Sequence, residues 1–363
     1  MPEPHSIVVA LGTRPEIIKL APIIQKLGDR ARVVHTGQHY DEGLSKVFFD
    51  AFGLAEPAHR LRIGGETRAT QIGEATKRIG EHLTDQPAAA VVAQGDTNTT
   101  VGAALAANAT ETPLVHIEAG LRSFDRAMPE EHNRIVTDHL ADLCLAPTRV
   151  TVENLAAEGI SGSGVIETGN TVVEAVRDLL PAAGERTALL QRYGVEREGF
   201  VLSTFHRPEN VDDSERFRTI LSELAELPLP VLLPLHPRSV RRAQEFGLDE
   251  LLGCLQVIEP IGYRDFLGLS AETALLVSDS GGVQEEASVV KRPVIVVRNS
   301  TERPEVLGTF AERVEPGPAI GQLARDRLTD PAALHAELSD IPSPYGDGTA
   351  SQRSVEAVLG AVG

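Results

Sequence analysis

Short apolar segments rich in β-branched residues alternate with longer amphipathic segments along almost the whole chain. The N-terminal part contains, in order, the segments SIVVALG, PEIIKLAPIIQKL, ARVVHTG, AAAVVAQG, TTVGAALAANAT and PLVHIEA. Repeated alternation of a predicted strand with a predicted helix is typical of a parallel sheet joined by right-handed crossovers. The chain is therefore predicted to adopt an α/β fold.

The alternation pauses near residue 170, passes through a helical segment and restarts at Phe200. The second series contains FVLSTFH, PVLLPLHP, ALLVSDS and PVIVVR, separated by helical segments. A chain of 363 residues is also longer than one ordinary domain of roughly 100–200 residues. We therefore predict two Rossmann-like, doubly wound domains that span residues 1–170 and 171–348. Such folds bind ligands at the carboxyl ends of their strands, so we expect a cleft between the domains to hold the site.

Charge and the distribution of apolar residues limit the partners of this chain. The net charge of −18 argues against nucleic acid or an anionic membrane as a partner, because both attract positively charged proteins. No apolar run approaches the roughly 18 residues that a membrane-spanning helix needs. Acidic Glu3 precedes SIVVALG, so we interpret that segment as a first strand rather than a signal peptide. These features predict a cytoplasmic protein without a membrane partner.

The two cysteines, Cys144 and Cys254, both lie in apolar segments and have no CxxC or His-spaced partner. This setting is typical of reduced cysteines in a protein core rather than of a redox or metal site. We therefore expect both thiols to be buried. The sequence offers no convincing set of metal ligands.

Charged residues follow the predicted strands of the first domain. Arg14 and Lys19, in GTRPEIIK, could bind phosphate at a helix start, or the segment could be a capping turn with a solvated arginine. Asp96, in QGDTNTT, could act in catalysis or cap the next helix. Glu118 closes an apolar strand in HIEAG and precedes a charged predicted loop over residues 122–134. This placement favours a functional role over a solvated loop.

The second domain has histidines and glycines at corresponding positions. His206, in STFHRPEN, and His236, in LPLHPRS, follow neighbouring predicted strands and could contact phosphate or act as an acid; both could also be structural. Residues 278–287, SDSGGVQEEA, form a strand, two glycines and a helix start, the pattern of a phosphate site. Glu285 or Glu286 could accept ribose hydroxyls, or the pair could be surface residues that favour a helix start.

Ten motifs occur in register between residue 12 and about residue 348. They are GTRPEIIK, TGQHY, GDTNTT, HIEAGLRSFDR, MPEEHNR, FHRPENV, PLHPR, DSGGVQEEA, NSTERPE and PYGDG. Together they resemble the non-hydrolysing UDP-N-acetylglucosamine 2-epimerases. The resemblance implies a glycosyltransferase-B-type fold, a C-terminal helix at residues 349–363 that packs back on the first domain, and a homodimer.

The resemblance also implies a reaction, the reversible epimerisation of UDP-N-acetylglucosamine to UDP-N-acetylmannosamine at carbon 2. In this family, anti elimination of UDP gives a bound 2-acetamidoglucal, and readdition of UDP completes the inversion. The UDP-sugar would be the partner, and neither a metal nor a cofactor is required.

The site residues implied by the resemblance match the motifs. Asp96, Glu118 and Glu130 correspond to carboxylates that move protons and stabilise a cation-like transition state, and His206 corresponds to the acid beside the leaving diphosphate. The implied substrate contacts are Arg14, Lys19, Ser280, Gly281 and Gly282 for phosphate, Arg134 and His236 for nucleotide or sugar, Phe266 for uracil and Glu286 for ribose.

One position departs from part of the family. Bacterial members with an allosteric second UDP-N-acetylglucosamine site carry a second glutamine, three residues after the glutamine of the QH pair. This chain retains the glutamine of that pair, Gln38, but has Asp41 at the later position. A carboxylate would repel a diphosphate. The resemblance is therefore to archaeal-type members that lack this regulation.

Four other functions share some of these motifs. A glycosyltransferase of the same fold would need the nucleotide-binding half but not the three carboxylates. A hydrolysing epimerase would release free N-acetylmannosamine and UDP. A sibling epimerase for a 2,3-diacetamido uronic acid nucleotide shares GTRPEIIK, although the intact DSGGVQEE string argues against it. A non-catalytic sensor would not need to retain every candidate acid and base.

Overall fold

The computed structural model describes residues 6–38 and 42–362, with side chains from residue 46 onward in the second range. The chain divides into two compact units: unit 1 is Met1–Ala175 with Tyr345–Gly363, and unit 2 is Val176–Pro344. The sequence placed these borders at residues 170 and 348. Asp41 lies outside the described residues, so the expectation about a second substrate site stays a prediction.

Unit 1 contains a parallel sheet of seven strands in the described part of the chain, in the order β3-β2-β1-β4-β5-β6-β7. The strands are β1 Ile7–Leu11, β2 Ala31–His35, β3 His59–Arg60, β4 Ala90–Gln94, β5 Leu114–Ile117, β6 Leu143–Ala146 and β7 Val165–Glu167. The helices are α1 Arg14–Leu27, α2 Glu42–Ala51, α3 Arg68–Asp85, α4 Asn98–Ala109, α5 Pro129–Leu140, α6 Arg149–Ala157 and α7 Val172–Leu179, which contains the border between the units.

Unit 2 contains a parallel sheet of six strands among its described residues, in the order β10-β9-β8-β11-β12-β13. The strands are β8 Val201–Thr204, β9 Val231–Pro234, β10 Gln256–Ile258, β11 Leu275–Ser278, β12 Val294–Val297 and β13 Ala311–Val314. The helices are α8 Ala183–Tyr193, α9 Pro208–Val211, α10 Ser214–Ala225, α11 Pro237–Glu245, α12 Asp249–Gly253, α13 Tyr263–Glu272, α14 Gly281–Val290, α15 Ala319–Arg327 and α16 Pro331–Asp340. The last helix of the chain, α17 Ala350–Val362, belongs to unit 1.

The sequence of the central strands explains this architecture. In unit 1, β1 (IVVAL) and β4 (AVVAQ) are buried along their whole length. A continuous run of β-branched and small apolar residues can be buried on both faces only when helices cover both sides of a parallel sheet. Unit 2 repeats this pattern with VLST in β8 and LLVS in β11. The predicted fold class of two Rossmann-like, doubly wound units is confirmed.

Two local predictions are wrong. The segment 122–134 is not one loop, because α5 begins at Pro129, a residue that suits the first position of a helix. Cys144 is buried as predicted, but Cys254 is exposed. Cys254 follows the short helix α12, whose described residues include no fully buried side chain, so its apolar neighbours do not enclose the thiol. No helix among the described residues is long and apolar enough to span a membrane.

Candidate active site

Four of the predicted site residues follow the strands at which each sheet reverses its order. In unit 1 this point lies between β1, which leads into Arg14, and β4, which leads into Asp96. In unit 2 it lies between β8, which leads into His206, and β11, which leads into Ser280. Open α/β sheets bind ligands at this topological switch point, beyond the carboxyl ends of the strands. Both units therefore present their candidate residues where the fold places a ligand.

Glu118 is a buried carboxylate with several donors. Its Oε1 lies 2.5 Å from Nζ of Lys19 and accepts a hydrogen bond from Nδ2 of Asn170 at 2.5 Å. The side-chain amide of Gln94 donates to Oε2. A buried charge is tolerated only when it is paired and hydrogen-bonded, and these donors meet that requirement. The backbone of Glu118 has a φ of +65°, a strained value for a residue other than glycine that often marks a functional site.

Asp96 is the partly exposed member of the carboxylate set. The alternative that it caps α4 is wrong, because Thr97 is the capping residue and its hydroxyl accepts the backbone N–H of Thr100 at 3.1 Å. The backbone carbonyl of Asp96 accepts a hydrogen bond from Nδ2 of Asn133 at 2.7 Å. Its Oδ2 lies 3.4 Å from Nη2 of Arg134. The backbone of Asp96 is therefore fixed, and its carboxylate points to a guanidinium.

Arg134 is 1% exposed and lies between two carboxylates. Its Nη1 is 3.3 Å from Oε2 of Glu131, which itself accepts hydrogen bonds from the backbone of Ser123 and Phe124. Within the described part of the chain, Nε and Nη1 of Arg134 donate no hydrogen bond. A buried donor without an acceptor costs about 1–3 kcal/mol. This side chain therefore retains donor capacity that an anionic or polar ligand would use.

Glu130 and Arg14 differ from the buried residues of unit 1. Glu130 is exposed in the first turn of α5 and makes no hydrogen bond or ion pair with the residues that the structure describes. Arg14 is likewise exposed at the start of α1 and makes no such contact in the described ranges. Lys19, in contrast, is committed to Glu118. The sequence predicted Arg14 and Lys19 as a pair of phosphate contacts, but only Arg14 leaves its charge accessible.

Glu16 was not predicted as a site residue, yet it joins the two loops at the switch point. Its Oε2 accepts the backbone N–H of Gly12 at 2.9 Å and of Thr13 at 2.8 Å, and its Oε1 accepts the hydroxyl of Thr97 at 2.8 Å. Burial raises the pKa of Glu16 from 4.5 to about 7, against the lowering effect of these hydrogen bonds. The sequence signal was a threonine followed three residues later by a glutamate, a capping box.

His206 is oriented by an aspartate that the sequence reasoning did not single out. Nδ1 of His206 lies 3.0 Å from Oδ1 of Asp279, and the ring is largely exposed. The Asp279 carboxylate also accepts the backbone N–H of Arg207 at 3.0 Å and Nδ2 of Asn210 at 3.1 Å. Burial alone would raise the pKa of Asp279, but the hydrogen bond and charge of His206 and these other donors lower it. An ionised Asp279 therefore holds Nδ1 of His206 and leaves Nε2 accessible.

The segment after β11 has the form of an anion site. Ser280 precedes α14, whose first two residues, Gly281 and Gly282, are only partly buried. The free backbone N–H groups of a helix start attract phosphate. A Cβ atom at position 281 would lie 2.9 Å from Oε1 of Glu302, so any larger residue there would have to displace that carboxylate.

The two glutamates of α14 have different surroundings. Glu285 is fully buried, and its Oε1 lies 2.5 Å from Nε of Arg303. Glu286 accepts a hydrogen bond from the hydroxyl of Tyr263 at 2.9 Å. Burial, with the charge of Glu286 next, raises the pKa of Tyr263 well above its ordinary value, so this phenol stays a donor. Of the two, Glu286 is the glutamate that could contact a ligand, whereas Glu285 is paired with Arg303 inside the fold.

Phe266 and His236 complete the predicted set. Phe266 is half-buried in α13, the helix that also carries Tyr263 and thus lies beside Glu286. His236 is exposed after β9, and its Nδ1 accepts the backbone N–H of Arg238 at 3.2 Å as the cap of α11. The structure thus places Phe266 on the helix whose Tyr263 contacts Glu286, and places His206 against Asp279 at the end of β11. His236 caps α11 through Nδ1, and its Nε2 takes no part in that hydrogen bond.

Comparisons with known proteins identify the family of this chain. The sequence profile described as UDP-N-acetylglucosamine 2-epimerase matches residues 24–359. A UDP-N-acetylglucosamine 2-epimerase of Methanocaldococcus jannaschii is 37% identical over 359 residues, which are 96% of this chain and 97% of that protein. A UDP-2,3-diacetamido-2,3-dideoxy-D-glucuronate 2-epimerase of Pseudomonas aeruginosa is 35% identical over 96% of this chain and 98% of its own length.

A solved structure extends the likeness to the fold. The crystal structure of the Methanocaldococcus jannaschii UDP-GlcNAc 2-epimerase in complex with UDP-GlcNAc and UDP superposes with a TM-score of 0.85 at 36% identity, covering 98% of this chain and 99% of that one. The family resemblance predicted from the ten motifs is confirmed. The chain belongs to the UDP-N-acetylglucosamine 2-epimerase family.

Proposed function

We propose that this protein interconverts UDP-N-acetylglucosamine and UDP-N-acetylmannosamine by inverting carbon 2. The observation that carries the proposal is the pair of carboxylates at the β4 and β5 strand ends of unit 1, Asp96 and Glu118, with the buried guanidinium of Arg134 beside Asp96. A proton on carbon is removed only by a positioned base, and such a base contributes typically 10²–10⁴-fold to the rate. The carboxylate set supplies that group, and the proposed reaction needs no cofactor.

The proposed reaction is an anti elimination followed by readdition. A carboxylate takes the proton from carbon 2, the carbon–hydrogen electron pair forms the carbon 1–carbon 2 double bond, and the bond from carbon 1 to the diphosphate oxygen breaks with its electrons on that oxygen. The intermediates are 2-acetamidoglucal and UDP. Protonation of carbon 2 on the opposite face and return of UDP to carbon 1 give the epimer.

The three carboxylates are proposed to have different roles. Glu118 already accepts hydrogen bonds on both oxygens, so we assign it the role of a fixed negative charge for a cation-like transition state. Asp96 and Glu130 are more accessible, so we assign the two proton transfers to them. Arg134 would hold the sugar through the donors that have no protein acceptor.

Unit 2 is proposed to bind UDP. Ser280, Gly281 and Gly282 would bind the diphosphate at the start of α14, and Arg14 is also proposed as a phosphate contact. His206, held through Nδ1 by Asp279, would donate a proton from Nε2 to the departing diphosphate, because developing negative charge there must be met by a preorganised donor.

The remaining substrate contacts concern the nucleoside and the surroundings of the diphosphate. Glu286, steadied by Tyr263, would accept the ribose hydroxyls. Phe266 would contact the uracil and His236 would complete the binding set, whereas Lys19 would act through Glu118, with which it is paired. We further propose that the protein is cytoplasmic and forms a homodimer.

A second substrate is supported by one specific comparison. The Pseudomonas aeruginosa relative named for UDP-2,3-diacetamido-2,3-dideoxy-D-glucuronate is 35% identical, close to the 37% of the Methanocaldococcus jannaschii enzyme. The same carbon 2 chemistry would serve either sugar. We favour UDP-N-acetylglucosamine because the family profile that matches residues 24–359 carries that description.

The test is incubation with each UDP-sugar in deuterium oxide, followed by proton NMR of the products. We expect both epimers of UDP-N-acetylglucosamine, each with deuterium at carbon 2. Retention of the original hydrogen would exclude proton abstraction at that carbon. Accumulation of free N-acetylmannosamine and UDP would instead identify a hydrolysing epimerase. Sugar transfer to an added acceptor would identify a glycosyltransferase. Turnover of the diacetamido uronate nucleotide alone would identify the sibling substrate.

A further inference from the structure

His116 is a fully buried histidine at the centre of β5, and the proposed reaction does not use it. Its Nδ1 lies 2.6 Å from Oδ1 of Asp138, and its Nε2 lies 2.8 Å from the carbonyl oxygen of Gly95. A carbonyl oxygen can only accept a hydrogen bond, so Nε2 must carry a hydrogen. The state of Nδ1 then depends on whether Asp138 is ionised.

The surroundings of Asp138 keep it ionised. Its Oδ2 lies 2.7 Å from Nη1 of Arg122 and accepts the backbone N–H of Gly120 at 3.1 Å. Burial would raise the pKa of Asp138, but the charge and hydrogen bond of His116, and then those of Arg122, lower it overall. A carboxylate is also only an acceptor, so Nδ1 of His116 must carry the second hydrogen.

His116 is thus enclosed by acceptors on both sides and is an imidazolium. Its charge is balanced within the same buried network. Arg122 forms two hydrogen bonds of 2.7 Å with Glu158, so the set contains two cations and two anions. Buried charges are stable only in such paired and hydrogen-bonded arrangements.

The network is attached to both strand ends that carry the catalytic candidates. His116 donates to the carbonyl of Gly95, the residue before Asp96, and Asp138 accepts the N–H of Gly120, two residues after Glu118. Gly95, Glu118 and Gly120 have φ values of +74°, +65° and +82°. Glycine adopts such values without strain, whereas Glu118 does so only when its surroundings determine its conformation. The hydrogen bonds of the network hold the flanking Gly95 and Gly120 on either side of this strained residue.

We propose that His116 is a positioning residue, a buried cation that, through Gly95 and Asp138, fixes the turns that present Asp96 and Glu118. Its contribution to turnover rests on the proposed epimerase function, whereas its charge state does not. Misplacement of a catalytic group by about 1 Å can lower a rate by about 100-fold. Loss of His116 is therefore expected to lower kcat about 10- to 100-fold and to leave the KM for UDP-N-acetylglucosamine little changed.

The variant test uses His116→Ala and rescue by imidazole. The substitution leaves a cavity of the right shape between Gly95 and Asp138, so added imidazole should restore part of the lost kcat. His335→Ala is the matched control, because His335 is also buried and donates Nε2 to a backbone carbonyl, that of Ala274, at 2.9 Å in unit 2. It should lower thermal stability but leave kcat unchanged, with or without imidazole.

A spectroscopic test of the wild-type protein does not depend on activity or on the folding of an alanine variant. The protein is labelled with ¹⁵N-histidine at the ring nitrogens, and the His116 signals are assigned by their loss in His116→Gln. We expect both nitrogens to carry hydrogens at neutral pH. An unprotonated nitrogen would overturn the inference, as would wild-type turnover in a folded His116→Ala protein. Wild-type protein that does not epimerise would refute the proposed function and leave the spectroscopic result to decide the charge state.

Discussion

Nζ of Lys19 lies 2.5 Å from Oε1 of Glu118, and both side chains are almost completely buried. Lys19 is fixed at its backbone as well, because its carbonyl accepts the hydroxyl of Thr171 at 2.6 Å. The motif GTRPEIIK thus contributes a buried ion pair to the end of β5. Lys19 neutralises Glu118 before any substrate is present.

The Lys19→Ala variant should lose both stability and activity. Removal of one partner from a buried ion pair costs about 3–5 kcal/mol, because the other charge remains buried without its counterion. We expect the free energy of unfolding, measured by urea denaturation, to fall by about this amount. Lys46→Ala is the control, since Lys46 forms an exposed pair with Glu56 at 3.3 Å and such pairs contribute about 0–1 kcal/mol. Equal losses in the two variants would contradict the prediction.

Glu16 should make the stability of the protein depend on pH between about 4.5 and about 7. Burial raises its pKa from 4.5 to about 7, so over this range the folded protein binds a proton that the unfolded chain releases. The contribution is fully present below pH 4.5 and is lost as the pH rises through 7. It amounts to about 3 kcal/mol.

The Glu16→Gln variant removes this titration and keeps the shape of the side chain. We expect its free energy of unfolding to vary less between pH 5 and pH 8 than that of the wild type, as measured by urea denaturation at each pH. Glu81→Gln, an exposed substitution on α3, controls for the loss of one negative charge. Parallel pH profiles for wild type and Glu16→Gln would show that Glu16 is ionised in the folded protein throughout this range.

The sequence was sufficient to predict the two sheets and the strand ends that carry the site. IVVAL is apolar at every position and AVVAQ at all but its last, a pattern that only a strand buried on both faces tolerates. Once those strands are located, Asp96 and Ser280 must lie at carboxyl ends. Their placement did not require any long-range contact to be known.

Contacts between distant parts of the chain could not be predicted in this way. Asp279 holds the backbone of His206 from 73 residues away, and Asn170 holds Glu118 from 52 residues away. Each contact depends on the order of strands in the sheet, which periodicity does not encode. The predicted loop over 122–134 failed for another reason, since its density of charges concealed the helix that starts at Pro129.

From the presence of Asp41 we predict that a second substrate molecule does not activate the enzyme. A carboxylate a few ångströms from a diphosphate would disfavour binding by about 1–4 kcal/mol, which weakens such a site roughly fivefold to several hundredfold. We expect hyperbolic forward kinetics and a reverse reaction that starts without a lag from pure UDP-N-acetylmannosamine. The measurement is a progress curve for wild type and Asp41→Gln. A wild-type lag that a trace of UDP-N-acetylglucosamine abolishes would refute the prediction.

His206 should affect turnover far more than folding. Removal of a leaving-group acid lowers kcat by about 10²–10⁴-fold, so His206→Ala should still bind UDP in calorimetry but turn over slowly. His139→Ala, an exposed substitution on α5, should keep wild-type kcat.

Asp279→Asn separates the acid from the group that orients it. The amide keeps the size of the side chain but loses the charge that stabilises a protonated His206 through Nδ1. We therefore expect its kcat to fall. His206→Ala/Asp279→Asn should be no slower than His206→Ala alone, because the aspartate acts through the histidine. Additive losses in the double variant would show that Asp279 affects turnover by another route, such as the backbone of Arg207.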